Sequence, residues 1–570
     1  MCGIWAIFGS DDDVSKQCES CLRIKHRGPD AFRIENVNHF KNCCFGFHHL
    51  AIQDDVFGMQ PLRVLDYPNL WVIFNGEIYN CDRLAEEFGF RYSTHSDGES
   101  ILHLYNHGGA EFMAKHLDGI FAFCLLDVKE RKVIIGRDTY GVKPCFRFIT
   151  EHGFLAVCSE VKGLLGLSHT KDDDKIEITP LSPGHIETYD LCVNGKVTFG
   201  SKQRFHSIGE APTYKTLVTP NGECDIFHNI RSLFEAAVEK RLMSMRRIGC
   251  LLSGGLDSSL VASLVAKKIK EHHLPYPLQT FSIGMQGSPD VMAARKVSRH
   301  IGSEHHEITF TAEEGIAAVR EVIKFIESYD ITTIRASVGM FLVCKYISQN
   351  TDTVVIFSGE GADELAQGYI YLKNAPTPEE AAKESLRLLQ DLHYFDVLRA
   401  DRTTSAWGLE CRVPFLDHQF TSYYLSLSTD SRFPKDGVTE KYLIRQAFDS
   451  TGLLPKEILW RPKEAFSDGV SSKEKSWFEI LQDHVCTLVT DDMFDDAPKT
   501  YPFNPPKSKE AFYYRQVFEE FYPGKAELIP YYWMPKWSQT TDPSARTLSV
   551  YRDTDEKHQK TIQHHSHGEK

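Results

Sequence analysis

The sequence lacks several features that would direct the protein to a membrane, out of the cell or onto nucleic acid. No run of about twenty apolar residues appears, so we expect no membrane span. The N-terminus is apolar only as far as residue 9 and then meets three aspartates, unlike a signal peptide. The chain has 64 Lys and Arg against 78 Asp and Glu, a formal net charge of -14, which argues against a general nucleic-acid-binding surface. These absences predict a cytoplasmic protein.

Two common nucleotide-binding strings and a zinc pattern are also missing. Neither G-x-x-x-x-G-K-[ST] nor G-x-G-x-x-G occurs in the chain. The 15 cysteines are scattered and odd in number, which favours reduced thiols over a disulfide framework. Cys18 and Cys21 form one C-x-x-C without a second pair at zinc spacing, so we interpret them as thiols on one amphipathic helix.

At 570 residues the chain is too long for a single hydrophobic core, and its pattern changes along its length. Residues up to about 200 are typical of short strands and tight turns, and residues 121–127 and 132–136 suit a hairpin. Residues 206–222 are polar and predict a linker. The expected divisions are an N-terminal domain at 2–192, a connecting segment and linker at 193–222, a second domain at 223–540, and a polar, disordered tail at 541–570 that includes four histidines.

After the linker, strand and helix patterns alternate. Apolar spacing predicts a helix over residues 227–242 and another over 258–270. Short apolar runs predict strands at 248–252, 280–284 and 353–357. Ser288 followed by Pro289 and Asp290 is typical of a helix start, and Gly302 of its end. This alternation predicts an α/β domain with a mostly parallel sheet.

Cys2 becomes the first residue if Met1 is removed, as expected when the second residue is small. A terminal cysteine combines a thiol with an α-amine of ordinary pKa about 7.7–8, which can act as its own general base. Cys2 alone is weak evidence, because many chains begin Met-Cys by chance.

Other polar residues of the N-terminal half support a catalytic role for Cys2. Asn75 and Gly76 follow the apolar run 70–74, where we expect a strand to end. An Asn side-chain amide and a Gly N–H are the donors of an oxyanion hole, although Asn-Gly in isolation is more typical of a hairpin turn. Asp97 supplies a carboxylate able to hold an ammonium group.

Four strings together resemble the class II glutamine amidotransferases: Met-Cys-Gly-Ile at the start, His-Arg-Gly-Pro-Asp at 26–30, Asn-Gly-Glu-Ile-Tyr-Asn at 75–80 and Ser-Asp-Gly-Glu at 96–99. In that family the terminal Cys attacks the glutamine carboxamide. The resemblance covers about residues 2–190. It implies a nucleophile at Cys2 and an oxyanion hole at Asn75 and Gly76. The implied glutamine-binding residues are His49, Leu50, Ala51, Ile52, Gln53, Asn75, Gly76, Glu77 and Asp97.

One residue departs from the family pattern. The family strand reads Phe-His-Arg-Leu, whereas residues 47–50 here are Phe-His-His-Leu. The family's Arg binds the glutamine α-carboxylate, and His49 takes its place. Histidine offers one donor when neutral and has an ordinary pKa near 6.5. We therefore expect weaker glutamine binding that improves as the pH falls, unless Arg33 or another base compensates.

The second candidate site begins where the strand at 248–252 ends. Ser-Gly-Gly-Leu-Asp-Ser-Ser at 253–259 joins this strand to a helix, so its N–H groups and hydroxyls can surround an anion. A second loop, Ser-Gly-Glu-Gly-Ala-Asp-Glu at 358–364, follows the strand at 353–357. Three carboxylates at that position are costly unless a cation or substrate lies there. The alternative for this second loop is a solvated acidic turn.

The first of these loops resembles the PP-loop of the N-type ATP pyrophosphatases. With Leu-Arg-Ala-Asp-Arg at 398–402, Arg-Val-Pro-Phe-Leu-Asp at 412–417 and Arg-Pro-Lys-Glu-Ala-Phe at 461–466, the resemblance extends to the glutamine-hydrolysing asparagine synthetase family, to about residue 540. It implies an N-terminal αββα sandwich of the N-terminal-nucleophile type and a C-terminal PP-loop α/β domain with added helices. The implied ATP-binding residues are Leu251, Ser253, Gly254, Gly255, Asp257, Ser258, Ser259, Ile283, Ser358, Gly359 and Lys463.

The resemblance also implies the chemistry. Asp257 and Asp363 would hold Mg²⁺, and Glu360 would help to form β-aspartyl-AMP or deprotonate the incoming ammonia. The partners would be glutamine, aspartate and ATP, with no nucleic acid, no membrane and a homodimer as the candidate assembly. Three alternatives stay open: an ammonia-dependent synthetase with a weakened glutaminase, a PP-loop amidotransferase acting on another carboxylate, and a catalytically silent relative.

Overall fold

The computed structural model describes residues 1–548, apart from 11–13, 55–57, 168–176, 221–224, 436, 465 and 472–474. Within the predicted tail, residues 541–548 pack against the second half. Arg335 donates to Asp542 at 2.8 Å, and Leu548 is buried. The rest of that tail, with its histidines, lies outside the described residues.

The first half contains two antiparallel sheets. Its strands are β1 (Gly3–Phe8), β2 (Ala31–Asn36), β3 (Cys44–His49), β4 (Leu70–Ile78), β5 (Gly119–Asp127), β6 (Lys132–Arg137), β7 (Phe146–Ile149), β8 (Leu155–Cys158), β9 (Thr179–Pro180), β10 (His185–Leu191) and β11 (Val197–Arg204). The six-stranded sheet has the order β2-β3-β1-β8-β7-β9, and the five-stranded sheet has the order β11-β10-β6-β5-β4. The predicted hairpin is the β5–β6 pair. Because β11 belongs to this sheet, regular structure continues past residue 192, and the domain boundaries stay predictions.

The sheets pack face to face between layers of helix. These helices are α1 (Val14–Leu22), α2 (Cys81–Phe88) and α3 (Glu99–His116). Along β1, Ile4 and Phe8 point into the core between the sheets, whereas Trp5 and Ile7 join the core that includes Cys21 of α1. The other sheet packs its outer face against α2 and α3. This alternation, with its period of two, produces the expected αββα sandwich.

The second half is built on a parallel sheet. Its strands are β12 (Arg247–Leu251), β13 (Gln279–Gly284), β14 (Glu304–Thr309), β15 (Thr353–Phe357) and β16 (Glu410–Arg412), in the order β14-β13-β12-β15-β16. Every neighbouring pair is parallel, which confirms the predicted α/β class. The carboxyl ends of β12 and β15 therefore meet at one edge of the sheet, where the two predicted loops begin.

Helices surround this sheet and extend beyond it. They are α4 (Ile226–Glu239), α5 (Leu256–Glu271), α6 (Pro289–Ile301), α7 (Ala312–Ile326), α8 (Ile331–Asn350), α9 (Ala362–Leu365), α10 (Pro378–Asp391), α11 (Asp396–Ser405), α12 (His418–Ser426), α13 (Thr429–Arg432), α14 (Tyr442–Phe448), α15 (Lys456–Leu459), α16 (Phe466–Gly469), α17 (Trp477–Cys486), α18 (Asp491–Asp495), α19 (Ala497–Thr500) and α20 (Lys509–Phe521). The predicted start of α6 is confirmed, since the Val291 N–H donates to the Ser288 side chain. Its predicted end is confirmed by Gly302, which has a φ of 71°.

One helix, α8, is long and apolar enough to cross a membrane by length and composition, with a mean hydropathy of 1.2. Its apolar residues are interrupted by polar ones, so no continuous apolar run marks this helix in the sequence. Within the protein, 67% of this stretch is buried. A core helix passes the same test of length and composition, so α8 is weak evidence for a membrane span.

Candidate active sites

The first candidate site surrounds Cys2, which immediately precedes β1. The Leu50 N–H donates to Cys2 Sγ at 3.5 Å, and the thiol lies 3.7 Å from the Leu50 carbonyl oxygen. Arg27 Nε donates to the Cys2 carbonyl oxygen at 3.1 Å and so fixes this end of the chain. Burial raises the pKa of the Cys2 thiol to about 11. A thiol with this pKa needs a base to remove its proton before it can act as a nucleophile.

Asn75 and Gly76, the predicted oxyanion residues, lie inside β4. The expectation of a strand end or hairpin turn there is wrong, since β4 continues to Ile78. Gly76 has a φ of 141°, and a Cβ at that position would lie 1.9 Å from the Ile120 carbonyl oxygen. The Asn75 side chain is fully buried, and neither amide atom has a hydrogen-bond partner among the described residues. Since an unpaired buried polar group costs about 1–3 kcal/mol, Asn75 is suited to binding a ligand.

Two predicted carboxylates, Glu77 and Asp97, lie beside these residues. The Ile78 N–H donates to Asp97 Oδ2 at 2.6 Å, and Gln53 Nε2 donates to Glu77 Oε2 at 3.3 Å. Burial raises the pKa of Asp97 to about 7. Burial, followed by the charges of Glu410 and Asp97, raises the pKa of Glu77 well above its ordinary value. A bound ammonium group would favour the ionised form of both carboxylates.

The predicted glutamine-binding segment 49–53 lies largely outside regular structure, because β3 ends at His49. The His49 side chain is buried, 7% exposed, with its ring centroid 5.7 Å from that of Phe47. The loop that follows is held from both halves. Asp30 Oδ2 accepts from the Ala51 N–H at 2.9 Å, and the Ile52 carbonyl accepts from the Met245 N–H at 2.8 Å.

Arg33, the base considered as a substitute for the missing arginine, lies on β2. Its side chain is 44% exposed and pairs with Glu35 at 4.0 Å. Nothing in these contacts directs Arg33 toward the glutamine-binding segment.

The second candidate site lies at the carboxyl ends of β12 and β15. In the loop at 253–259, the Ser253 N–H donates to Ser258 Oγ at 3.2 Å, and the Gly255 N–H donates to Ser253 Oγ at 3.3 Å. Gly254 has a φ of 74°, and a Cβ there would lie 2.4 Å from the Ala294 nitrogen. The glycine therefore lets the loop turn closely against α6.

A cavity of about 200 Å³ is lined by residues of this loop and of the one at 358–364. Predicted residues that line it are Leu251, Ser253, Gly255, Asp257, Ser258, Ile283, Ser358, Gly359, Glu360, Asp363 and Lys463. Gly254 and Ser259 are not among the lining residues. The Ser259 hydroxyl is buried behind the loop, without a hydrogen-bond partner among the described residues.

A lysine that the sequence argument missed connects the two loops. Lys441 Nζ lies 2.5 Å from Asp257 Oδ2 and 2.6 Å from Asp363 Oδ1. Lys463 Nζ lies 2.5 Å from Asp363 Oδ2. Although burial acts in the opposite direction, the two lysines hold the pKa of Asp363 well below its ordinary value. Lys441 belongs to no string that marks the site, so only the fold brings it there.

The two aspartates fit a divalent cation. Asp257 Oδ1 is buried without a hydrogen-bond partner among the described residues. Asp363 Oδ1 is within ion-pair distance of Lys441 but lacks the geometry of a hydrogen bond. The described part of the chain holds no group of three or more His, Cys, Asp or Glu suited to a metal. Mg²⁺ commonly uses one or two carboxylates and takes its other ligands from water and substrate phosphates.

Glu360, in the second loop, lines the same cavity as the two lysines. Arg399 Nη2 donates to Glu360 Oε2 at 2.8 Å and to Asp396 Oδ1 at 2.7 Å. Burial raises the pKa of Glu360 to about 7, against the opposing effect of Arg399. A carboxyl group of this kind can exchange a proton near neutral pH.

Two of the quoted strings lie at the boundary between the halves. In the string at 398–402, Asp401 accepts from both Nη atoms of Arg27, at 2.8 and 3.0 Å. In the string at 412–417, Arg412 Nη2 lies 3.6 Å from Glu77 Oε2. A charged residue within an apolar string must pair with an opposite charge when it is buried. This sequence pattern could have predicted that such pairs form here.

Comparisons with known proteins show which family the chain is similar to. A family model described as glutamine amidotransferase domain matches residues 1–187, and one described as asparagine synthase matches residues 229–379 and 373–546. The chain is 61% identical over 559 residues to asparagine synthetase (glutamine-hydrolyzing) of Gallus gallus, covering 97% of this chain and 99% of that protein. It is 59% identical over 558 residues to the Homo sapiens protein of the same name, with the same coverage.

A solved structure of the allosteric regulatory enzyme of purine biosynthesis is 14% identical, with a TM-score of 0.31. The match covers 54% of this chain and 80% of the chain in that structure.

Proposed function

The chain belongs to the glutamine-hydrolysing asparagine synthetases, and from this membership we propose how its two sites make asparagine. It is an ATP-dependent carbon–nitrogen ligase that uses glutamine as the amido donor. The observation that carries the proposed mechanism is the cavity between the loops at 253–259 and 358–364, which faces two aspartates and two lysines.

At the first site, the Cys2 thiol attacks the glutamine carboxamide carbon. The α-amine of Cys2 accepts the thiol proton and passes it to the leaving ammonia, and water then hydrolyses the thioester to glutamate. The Asn75 amide and the Gly76 N–H stabilise the oxyanion. Glu77 and Asp97 hold the glutamine ammonium group.

The remaining glutamine contacts come from the segment that begins at His49, which faces the α-carboxylate. Leu50, Ala51, Ile52 and Gln53 complete the pocket.

This mechanism requires the removal of Met1. Met1 is 1% exposed, and its amine lies 3.4 Å from Glu410 of the second half. An aminopeptidase cannot reach a buried residue, so we infer that Met1 is removed before the two halves pack together.

At the second site, ATP is cleaved between its α and β phosphates and AMP is transferred to the aspartate side chain, giving β-aspartyl-AMP. The loop at 253–259, including Gly254 and Ser259, shapes the phosphate site. Lys463 and Lys441 contact phosphate oxygens. Asp257 and Asp363 would hold Mg²⁺, which neutralises phosphate charge when it is bound.

Ammonia then displaces AMP. Glu360 accepts the proton that the nitrogen loses in forming the amide.

The experiment is product analysis with two nitrogen sources, amide-¹⁵N glutamine and ¹⁵N-ammonium. We expect label from glutamine in asparagine, with AMP and diphosphate formed in amounts equal to asparagine. ADP and phosphate as products would contradict the proposed cleavage.

A second candidate, chiefly ammonia-dependent synthesis with a weak glutaminase, is favoured by His49. It would appear in the same experiment as preferential incorporation of ammonium nitrogen. A cytoplasmic location, a homodimer and the absence of nucleic-acid or membrane partners also belong to the proposal.

A further inference from the structure

A residue of the second half, Arg412, faces the glutamine site of the first. It is fully buried at the end of β16. Its Nε donates to Glu410 Oε1 at 3.0 Å, and its Nη1 donates to the Met243 carbonyl at 2.6 Å and to the Arg241 carbonyl. These contacts, all within the second half, fix the guanidinium group.

The remaining nitrogen of Arg412 is directed across the boundary. Nη2 lies 2.9 Å from Glu410 Oε1 and 3.6 Å from Glu77 Oε2, but it makes no hydrogen bond of good geometry within the described chain. Glu77 itself is 3% exposed and accepts a hydrogen bond from Gln53. Arg412 is therefore the cation placed to pair with Glu77 when that side chain is ionised.

The buried charges around Glu77 explain why a cation is needed there. Asp97 and Glu410 are the other carboxylates whose charge opposes its ionisation. Lys143, 3.8 Å from Glu410, compensates the charge of Glu410. Arg412 is the group whose charge favours ionised Glu77. Without it, Glu77 would retain its proton and attract an ammonium group only weakly.

The backbone of Arg412 contacts the second candidate site. Its carbonyl oxygen accepts from the Ser358 N–H at 2.9 Å, at the start of the second loop. A substitution of the side chain leaves this backbone bond in place. Loss of the guanidinium group should therefore affect glutamine use and spare synthesis from ammonia.

We propose that Arg412 is a positioning residue for glutamine, supplied to the first site by the second half, which favours the ionised form of Glu77 and orients it toward the glutamine ammonium group. This inference rests on the proposed role of Glu77. It implies that the glutamine pocket is complete only when the two halves are packed together.

The test uses Arg412→Gln and Arg412→Lys in the full chain, with both nitrogen donors. Losing one charge-assisted interaction should raise the glutamine KM of Arg412→Gln about 10- to 150-fold. Arg412→Lys, which keeps the charge, should show a smaller rise. The KM values for ATP and aspartate with ammonia should stay within about twofold of the unmodified enzyme, well below the cost of a lost charged hydrogen bond.

A pH profile separates positioning from general damage. In Arg412→Gln, glutamine kcat/KM should recover as the pH rises and Glu77 loses its proton, while the ammonia-dependent reaction keeps its profile. The matched control is Arg402→Gln, another fully buried arginine at the boundary, which pairs with Glu327 at 3.0 Å. It should leave the glutamine KM unchanged.

The outcomes of these experiments decide the inference. An unchanged glutamine KM, or equal losses with both donors, overturns it. If Arg412→Gln fails to fold, a selective KM rise in Arg412→Lys still supports it, and no rise there rejects it. Glu77→Gln separates the two proposals. If that variant binds glutamine normally, the proposed role of Glu77 has failed, whereas a raised KM there with a normal Arg412→Gln rejects only the role of Arg412.

Discussion

Both halves bury carboxylates at their candidate sites, but the neighbouring charges differ. In the first half, burial raises the pKa of Asp97 to about 7, and the negative charge of Glu410 acts in the same direction. In the second half, burial of Asp363 acts in the same direction, but Lys441 and Lys463 hold its pKa well below the ordinary value. Both side chains are aspartates and neither is more than 18% exposed, so the neighbouring charges account for the difference between their pKa values.

The difference suits the two proposed ligands. A substrate ammonium group brings its own positive charge, so one resident cation, Arg412, accompanies the two carboxylates proposed to receive it. Triphosphate brings negative charge, so aspartates near it need lysines that can also contact phosphate. Four substitutions test this contrast.

The largest expected effect is the loss of the nucleophile in the first half. Cys2→Ala should lower glutamine-dependent synthesis by a factor on the order of 10⁴ or more, because no other group replaces the thiol. Ammonia-dependent synthesis should persist, since its site lies in the second half. Asparagine formation with each donor is the measurement, and Cys192→Ala, at an exposed thiol, is the control. Retained glutamine use in Cys2→Ala would exclude the proposed mechanism.

Asp257→Asn should affect the second half alone. Removing one of the two facing carboxylates should lower asparagine synthesis from either donor about 10²- to 10³-fold, the usual cost of losing one electrostatic group. Glutamate release from glutamine without ATP should be unchanged. Asp352→Asn, whose side chain is 69% exposed, is the control. A parallel loss of glutaminase in Asp257→Asn would show that the sites are not separable in this way.

His49→Arg should strengthen glutamine binding at the first site. Arginine is permanently charged and grips a carboxylate with two donors, so glutamine KM should fall about 10- to 150-fold. The ammonia-dependent KM values should not move. The measurement is glutamine KM from pH 6 to 8, where the unmodified enzyme should improve as the pH falls and the variant should not. An unchanged or higher KM would mean that His49 does not face the α-carboxylate.

The smallest expected effect is a change in stability, which Glu360→Gln should produce. Burial raises the pKa of Glu360 from 4.5 to about 7. Between these values the folded protein keeps a proton that the unfolded chain has released, so stability falls as the pH rises. The Glu360→Gln variant cannot lose stability in this way. In the unmodified protein, the free energy of unfolding falls by about 3 kcal/mol at most.

The Tm of Glu360→Gln minus that of the unmodified protein should therefore increase by a few degrees between pH 5 and pH 8. Glu130→Gln, at a side chain 61% exposed, should show no such change. A constant difference for Glu360→Gln would place its pKa near the ordinary value.

Much of the second sheet could be predicted because short apolar runs and helical spacing are local signals. The strand at residues 353–357 was predicted with the bounds it has in the structure. The end of β4 was not predicted correctly. The polar residues at 75–77 end the apolar run, whereas the pairing of β4 with β5 continues to Ile78. Strand pairing depends on a neighbour far along the chain, which local hydrophobicity does not report.

The sequence by itself determined the candidate chemistry: a cysteine at position 2, an Asn-Gly pair, and two polar loops that each follow a buried strand. Only the tertiary structure decided the charges around them. Lys441 reaches Asp257, and Arg412 reaches Glu77, across long separations in sequence. The physical reason is that a buried charge is set by whatever group packs within a few ångströms, and packing is a property of the whole fold.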